Sequence, residues 1–453
     1  MNLKKAKIDK ILSNLEGLIH FNQKEYSLPY VLPGDEVEYI FTKFKRKKKI
    51  LPIKVEKNNN PLIPRETPQC TYYELCGGCK GQHIPYSFQW EFKIRELKEK
   101  YLREFPEIKI YELPAKVIYH YRNRMDFVIN QNLIGLRKRN FYSELVDIEE
   151  CKIQSEIANQ ILKLLRNLLQ SYPIGFDRNT NKGILKYITL RTAKEMGIIL
   201  TIFKENKNEI YNEFIEKLIL SLKENFIEFS LFECYTDLKS EVSNTENNQT
   251  LYGKDSLNFS FDNAILKVPP EGFFQPNPKE MESMLRVSID FFLNHRDFTR
   301  KSYHLIDLFC GVGLVSLYFS KYLSNCILSI SGFEISERSV HYANQNFESN
   351  SILYNFTKFD LSKKFTFKPK ENTLLILDPP RSGLPNSLIR WILKYKDFIE
   401  WIVYISCNPK KQSIEIESFK EYYKIEFIIF GDPFPQTEHW ESLLILRKRN
   451  SLE

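Results

Sequence analysis

Cys407 stands in the run Ile405-Ser406-Cys407-Asn408-Pro409, where an apolar segment ends and an amphipathic one begins. A lone cysteine is more often a small core residue. One flanked by Ser, Asn and Pro at a strand end is instead placed as a nucleophile, and helix-terminal amides there can favour its thiolate. Such a thiolate could add to an electron-poor ring carbon. Carbon 5 of a uracil, for example, is too weak a nucleophile to take a methyl group from a sulfonium unaided. Thiolate addition at C6 makes the ring an enolate whose C5 can attack; a base must then remove the C5 proton so that the thiol can leave. The candidate base is Glu441, at the end of Phe434-Pro435-Gln436-Thr437-Glu438-His439-Trp440-Glu441 and just before the apolar run Leu443-Leu444-Ile445-Leu446, with His439 second. Taken alone, Glu441 is also what an exposed acid before a strand looks like.

A second set of residues reads as a nucleoside site. Leu308-Phe309-Cys310-Gly311-Val312-Gly313 closes an apolar run, and its glycines let the backbone turn tightly beside a ligand. About twenty residues on, Gly332-Phe333-Glu334 ends the next run, where an acid can accept ribose hydroxyls. A dinucleotide fingerprint has a third glycine where this chain has Ser316, so a nucleoside without pyrophosphate fits better. Asp378-Pro379-Pro380-Arg381 ends a third run with an acid held between rigid neighbours, suited to hydrogen bonding a planar amide-like edge.

Cys70, Cys76 and Cys79 lie close together, with Cys151 distant. Four thiolates fit either a [4Fe–4S] cluster or a structural zinc. Zinc usually takes paired CxxC knuckles, so three clustered cysteines and a far fourth lean towards iron–sulfur. The CxxxCxxC spacing of radical enzymes is absent, which points to a structural or RNA-positioning role. Cys234, Cys310 and Cys326 sit in apolar contexts and read as packing residues.

These residues must be positioned by more than one domain, because 453 residues at 43% hydrophobic composition exceed a single core. From about Lys267 onward, apolar runs at His304–Phe309, Ile327–Phe333, Leu374–Leu377 and Trp401–Ile405 alternate with helical segments. That pattern predicts a doubly wound parallel sheet with its ligands at the carboxyl ends of the strands. Residues 59–266 mix strand-like runs (Ile188–Leu190, Ile198–Ile202) with a helix over Ile157–Leu169 and predict an α+β domain, whose helix near 86–105 can pack on the catalytic part. Residues 1–58 alternate in short strands and predict a small β-barrel, with Asn58-Asn59-Asn60 as a linker. The basic run Lys43–Lys49 could meet phosphates there, or simply blunt an edge strand. With 65 basic against 57 acidic residues, the net charge of +8 matters only where it clusters in this way. No stretch approaches the roughly 18 apolar residues of a membrane helix, so a cytoplasmic, membrane-free protein with unpaired cysteines is expected.

The motifs together resemble the RNA uracil-C5 methyltransferases, closest to the bacterial 23S rRNA branch with an N-terminal TRAM barrel and an iron–sulfur cluster. They include Phe273-Phe274-Gln275-Pro276-Asn277, Asp307–Gly313, Glu334, Asp378–Arg381, Ser406–Pro409 and Phe434–Glu441. The resemblance implies a class I, Rossmann-like fold using S-adenosylmethionine, with Cys407 as nucleophile and Glu441 as base. It implies that Gln275, Phe309, Glu334, Asp360 and Asp378 surround the cofactor and target base, and that Cys70, Cys76, Cys79 and Cys151 hold [4Fe–4S]. Leu314 departs from the polar residue of many relatives. The expected partner is RNA, 23S rRNA before the T-loop of tRNA, and a monomer is expected. Competing readings are an inactive RNA-binding protein, and an enzyme acting on cytosine C5 or adenine N6. The intact Cys407 and Glu441 disfavour the first, and Arg381 together with the Cys407 motif disfavours the adenine case.

Overall fold

The computed structural model describes residues 4–44, 47–57, 63–225, 228–348 and 350–449. Near the N-terminus, β1 (Lys4–Lys7), β2 (Gly17–Phe21), β3 (Lys24–Leu28), β4 (Glu36–Phe44) and β5 (Lys47–Glu56) form a three-stranded sheet, β1-β4-β5, and a β2-β3 hairpin. Ile8, Ile19, Leu28, Val31, Val37 and Tyr39 fill the core between them. Lys45, Arg46 and the Asn58–Asn60 linker lie outside the described residues.

Next come α1 (Tyr86–Glu104), β6 (Lys109–Leu113), β7 (Arg124–Asn130), β8 (Leu133–Lys138) and β9 (Phe141–Asp147). They are followed by α2 (Glu156–Ser171), β10 (Leu185–Thr192), β11 (Met196–Ile202), α3 (Glu209–Asn225), β12 (Phe229–Tyr235) and β13 (Asn248–Tyr252). A seven-stranded sheet runs β13-β12-β11-β10-β7-β8-β9. It is antiparallel except between β11 and β12, which α3 joins. The apolar faces of α2 (Ile161, Leu162, Leu165, Leu169) and α3 (Phe214, Leu218, Leu222) are buried in the same core as Ile188, Leu190, Ile198 and Leu200 of the sheet.

The remainder is a hairpin, β14 (Leu257–Phe261) and β15 (Ala264–Val268), then α4 (Pro278–Asn294), α5 (Arg296–Thr299), β16 (Tyr303–Leu308) and α6 (Leu314–Tyr322). The chain continues through β17 (Ile327–Glu334), α7 (Glu337–Phe347), β18 (Leu353–Lys358), β19 (Thr373–Leu377), α8 (Asn386–Lys394), β20 (Ile399–Ser406), α9 (Pro409–Glu415), β21 (Tyr423–Gly431) and β22 (Glu441–Lys448). Eight strands make one sheet in the order β18-β17-β16-β19-β20-β22-β21-β6. Helices cover both faces, so β19 and most of β20 are buried along their length and read as continuous apolar runs.

Two features differ from the purely parallel sheet that the apolar runs predict. β22 is antiparallel to both neighbours, because the connection from β21 turns straight back and inserts it between β20 and β21. The far edge strand, β6, comes from residue 109, well before Lys267, and pairs parallel with β21. α1 travels with it: Trp90, Ile94, Leu97 and Tyr101 share a core with Leu308, Ile402, Ile428 and Leu444. Among the described residues no helix is long and apolar enough to cross a membrane.

Candidate active site

The reversed direction of β22 is what brings the two reactive residues together. Ser406, the last residue of β20, pairs with Ser442. Cys407, just past β20, and Glu441, which opens β22, therefore emerge at the same end of the sheet. Asp378 reaches that end from β19, which runs parallel to β20. Beyond Cys407, Asn408 caps α9: its side-chain oxygen accepts from Lys411 N at 3.3 Å, and its amide donates to Arg381 O at 3.0 Å. Gln412 ties the helix to both strands, donating to Tyr404 O (2.8 Å) and accepting from Ser442 Oγ (2.6 Å).

The electrostatics of the thiol run against the thiolate expected from its helix position. Burial, then the carboxyls of Glu441 and Asp378, push Cys407 up to about 11, and the hydrogen-bonded Arg381 guanidinium only partly opposes them. Helix-end amides are outweighed here by burial first, and then by the two acids that share the pocket. Glu441 is itself pushed up to about 8, by burial first and then by Asp378. One of its carboxyl oxygens, Oε2, is buried without a hydrogen-bond partner. Asp378 rises to about 7 through burial and Asp307. His439 moves the other way, to about 4, through burial and the nearby Arg381. Its imidazolium would be so acidic that the ring is a weak proton acceptor beside Glu441.

The signs give a pH dependence. At subsaturating RNA, the rate constant for trapping Cys407 on 5-fluorouridine RNA should climb with pH between about pH 6 and 9, by less than about tenfold per unit because Asp378 and Glu441 ionise over the same range and repel the growing thiolate. A plateau near pH 7 in a rapid-quench titration would contradict that ordering.

A separate cavity opens at the ends of β16 and β19, lined by Gln275, Phe309, Gly311, Leu314 and Asp378 among others. Phe309, Gly311 and Gly313 all have positive φ (67°, 53° and 81°), so the turn after β16 needs its glycines. Phe309 tolerates the strained region at the site itself. Gly311 N donates to Glu334 Oε2 (3.1 Å), while Ile335 N (2.7 Å) and Ser336 N (3.0 Å) donate to Oε1, so three amides fix this carboxylate beside the cavity. Ser316, at the place of the missing third glycine, donates to the buried Asp307 at 2.5 Å. Leu314 opens α6 and is buried against the cavity. Asp360 is not among the lining residues: its carboxylate accepts from Ser362 N (3.0 Å) and Oγ (2.6 Å), with Lys363 at 3.8 Å.

Cys70, Cys76, Cys79 and Cys151 converge on a third cavity, of about 650 Å³, that also holds Arg122, Arg137, Arg139 and Lys152. Burial pushes Cys76 up to about 11 and Cys79 higher still, and the neighbouring thiols add to both shifts. Among the described residues no three His, Cys, Asp or Glu side chains are close enough to hold one metal ion. The placement of the four cysteines therefore does not by itself support the metal centre expected from their spacing.

Two motif residues take roles that their motifs do not announce, and one helix face escaped the motif reading. Arg381, last of the Asp378–Arg381 motif, is the guanidinium that faces the thiol. Asp307, first of the Asp307–Gly313 motif, is the buried acid that accepts from Ser316 and pushes Asp378 up. Tyr86, Gln89, Trp90 and Lys93 look like scattered polar and aromatic residues until their i, i+3, i+4, i+7 spacing is placed on α1.

A family model described as tRNA (Uracil-5-)-methyltransferase matches residues 85–363 and 353–449. An RNA methyltransferase of Leptospira interrogans, described as uncharacterized, is 34% identical over 98% of this chain and 97% of that protein. The tRNA (uracil(54)-C(5))-methyltransferase of Pyrococcus furiosus is 28% identical over 93% of this chain and 94% of its own length. The crystal structure of the Pyrococcus abyssi tRNA (uracil-54, C5)-methyltransferase with S-adenosyl-L-homocysteine superposes with a TM-score of 0.74 at 24% identity, over 98% of this chain and 100% of that one.

Proposed function

The chain belongs to the tRNA (uracil-5-)-methyltransferase family of S-adenosylmethionine-dependent RNA (uracil-C5) methyltransferases, and on that premise we propose that Cys407 adds to C6 of the target uridine and Glu441 removes the C5 proton. The single observation behind this is the meeting of the ends of β20 and β22, which sets a thiol beside a buried, unpartnered carboxyl.

Bound S-adenosylmethionine supplies an electrophilic methyl group; Glu334, Gln275 and Phe309 would hold it at the cavity beside Gly311. Near neutral pH, Glu441 is largely protonated and Asp378 partly so, which relieves their repulsion of the thiolate and leaves Arg381 as its charged neighbour. Cys407 adds to C6 and C5 becomes nucleophilic. After transfer, Glu441, having given its own proton to solvent, takes the C5 proton as carboxylate, the C5–H electrons form the C5=C6 bond, and the sulfur leaves as thiolate. Asp378 is suited to hydrogen bond the amide-like edge of the uracil. Asp360, whose neighbour Phe359 donates its N–H to Glu334 O (2.7 Å), would complete the cofactor site on the Glu334 side.

Cys70, Cys76, Cys79 and Cys151 would hold a [4Fe–4S] cluster, which would crosslink the 70–79 segment to the chain after β9. Protein purified without oxygen should be brown, with about four irons per chain. One zinc and no colour would contradict this.

We assign sequence-independent RNA attraction to residues 1–58 as a TRAM-like barrel, cluster and RNA contacts to 59–266, and methyl transfer to 267–453, in a monomeric cytoplasmic enzyme. The target is a uridine of 23S rRNA. A second reading, uridine 54 of tRNA, draws on the printed activity of the Pyrococcus relatives. Mapping 5-methyluridine in total RNA from a strain lacking the protein separates them: a site lost from 23S rRNA supports the first, a site lost from tRNA the second, and no loss in either overturns both.

A further inference from the structure

The candidate base has no hydrogen bond of its own on Oε2, so its position depends on the backbone that carries it, the segment 432–441 between β21 and β22. One face of a helix more than three hundred residues earlier holds that segment, alongside Lys80 N and Gly81 N on Gln436 O, Lys80 Nζ on Glu438, Tyr121 OH on Pro435 O and Asp432 N on Leu113 O. Lys93 of α1 is fully buried, and so is Asp432. Lys93 Nζ donates to Asp432 Oδ1 (2.9 Å) and Oδ2 (2.8 Å) and to Phe434 O (3.2 Å). Tyr86 OH donates to Asp432 Oδ2 at 3.0 Å and accepts from Ala115 N at 2.6 Å. Gln89 Nε2 donates to Gln436 Oε1 at 3.0 Å, beside a Gln436 backbone in the left-handed region (φ 68°). Trp90 packs edge-on against Trp440, their rings 6.3 Å apart.

From this anchor the order runs on to the base. Phe434 O also accepts from Thr437 N (3.2 Å) and Oγ1 (2.8 Å), and Thr437 Oγ1 accepts from His439 N (3.2 Å), two residues before Glu441. A fully buried ion pair is a poor way to gain stability, since its desolvation cost often exceeds its attraction and apolar replacements of similar volume are tolerated. It does fix geometry, and a base displaced by about 1 Å can cost about 10²-fold in rate.

We propose that Lys93 and Asp432 are positioning residues for the base: α1, through Tyr86, Gln89, Trp90 and Lys93, is the template that sets the 432–441 segment and hence Glu441. This rests on Glu441 being the proton acceptor. Breaking the template should leave C6 addition and methyl transfer intact and slow only the step in which the C5–H bond breaks, the proton passes to Glu441 and the C6–S bond opens.

The test is a double variant, Lys93→Met with Asp432→Leu, which removes both charges together. On uridine RNA it should accumulate a covalent methylated RNA adduct whose release is about 10²-fold slower than wild type. Adduct formation on 5-fluorouridine RNA, which needs no base, should stay near wild type. Release at the wild-type rate overturns the proposal; so does equal loss of formation and release, which marks a general structural role. If the double variant does not fold, Tyr86→Phe with Gln89→Leu, which deletes four hydrogen bonds, two of them to the 432–441 segment, and no charge, should show the same split with a smaller slowing, and no split overturns the proposal. Glu441→Gln run alongside separates the two readings. If it does not accumulate adduct, the base assignment is wrong; if it does and the template variants do not, only the positioning role fails.

Discussion

Replacing Cys407 with Ala is expected to abolish methylation, by on the order of 10⁶-fold or to background, as when a covalent nucleophile is removed. The effect should be this large because no other thiol can substitute. Cys310 is buried and its thiol is pushed far above its ordinary range by burial and by Asp307, and Cys326 is buried near the opposite end of the sheet, at the start of β17. The same variant should form no covalent adduct with 5-fluorouridine RNA, while S-adenosylmethionine still binds, since the cavity beside Gly311 is untouched. Turnover above background in a tritium-release assay would remove Cys407 from the mechanism.

The second large effect has the opposite signature. Glu441→Gln keeps the size of the buried side chain and removes its capacity to accept a proton, so addition and transfer proceed and elimination stalls. Turnover should fall by about 10²–10⁴-fold, the usual contribution of a general base, while a methylated RNA–protein adduct accumulates on ordinary uridine RNA. The loss should not be recovered by His439, whose proton affinity burial and Arg381 have lowered. A variant that turns over normally, or one inactive without adduct, would place the base elsewhere.

Much of this site is legible in the sequence because each strand of a wound sheet ends locally in its own functional residue: Phe309 and Gly311 after β16, Glu334 closing β17, Asp378 after β19, Cys407 after β20. Periodicity finds such strands, and the residue following each is read off directly. Pairing between distant segments is what periodicity cannot encode. The apolar run Leu443–Leu446 carries no mark of its direction, yet only an antiparallel β22 sets Glu441 beside Cys407. Nothing in Lys109–Leu113 identifies it as an edge of a sheet built two hundred residues later. The pKa of the thiol was misjudged for the same reason: its helix position is local, whereas the burial that outweighs it, and then the two carboxyls from β19 and β22, come from the packed fold. Lys93 was invisible because a lysine in an amphipathic helix reads as solvated unless its buried partner, Asp432, is known.

The central claim, covalent catalysis by Cys407 on C6 of a uracil, is tested most directly by trapping wild-type protein on 5-fluorouridine RNA in the presence of S-adenosylmethionine. The fluorine at C5 cannot be removed as a proton, so the adduct persists. After digestion, mass spectrometry should find a methylated fluorouridine nucleotide attached to the peptide containing Ser406-Cys407-Asn408-Pro409. An adduct on another peptide, or full methylation of ordinary uridine RNA with no adduct on the fluorinated one, would contradict the account.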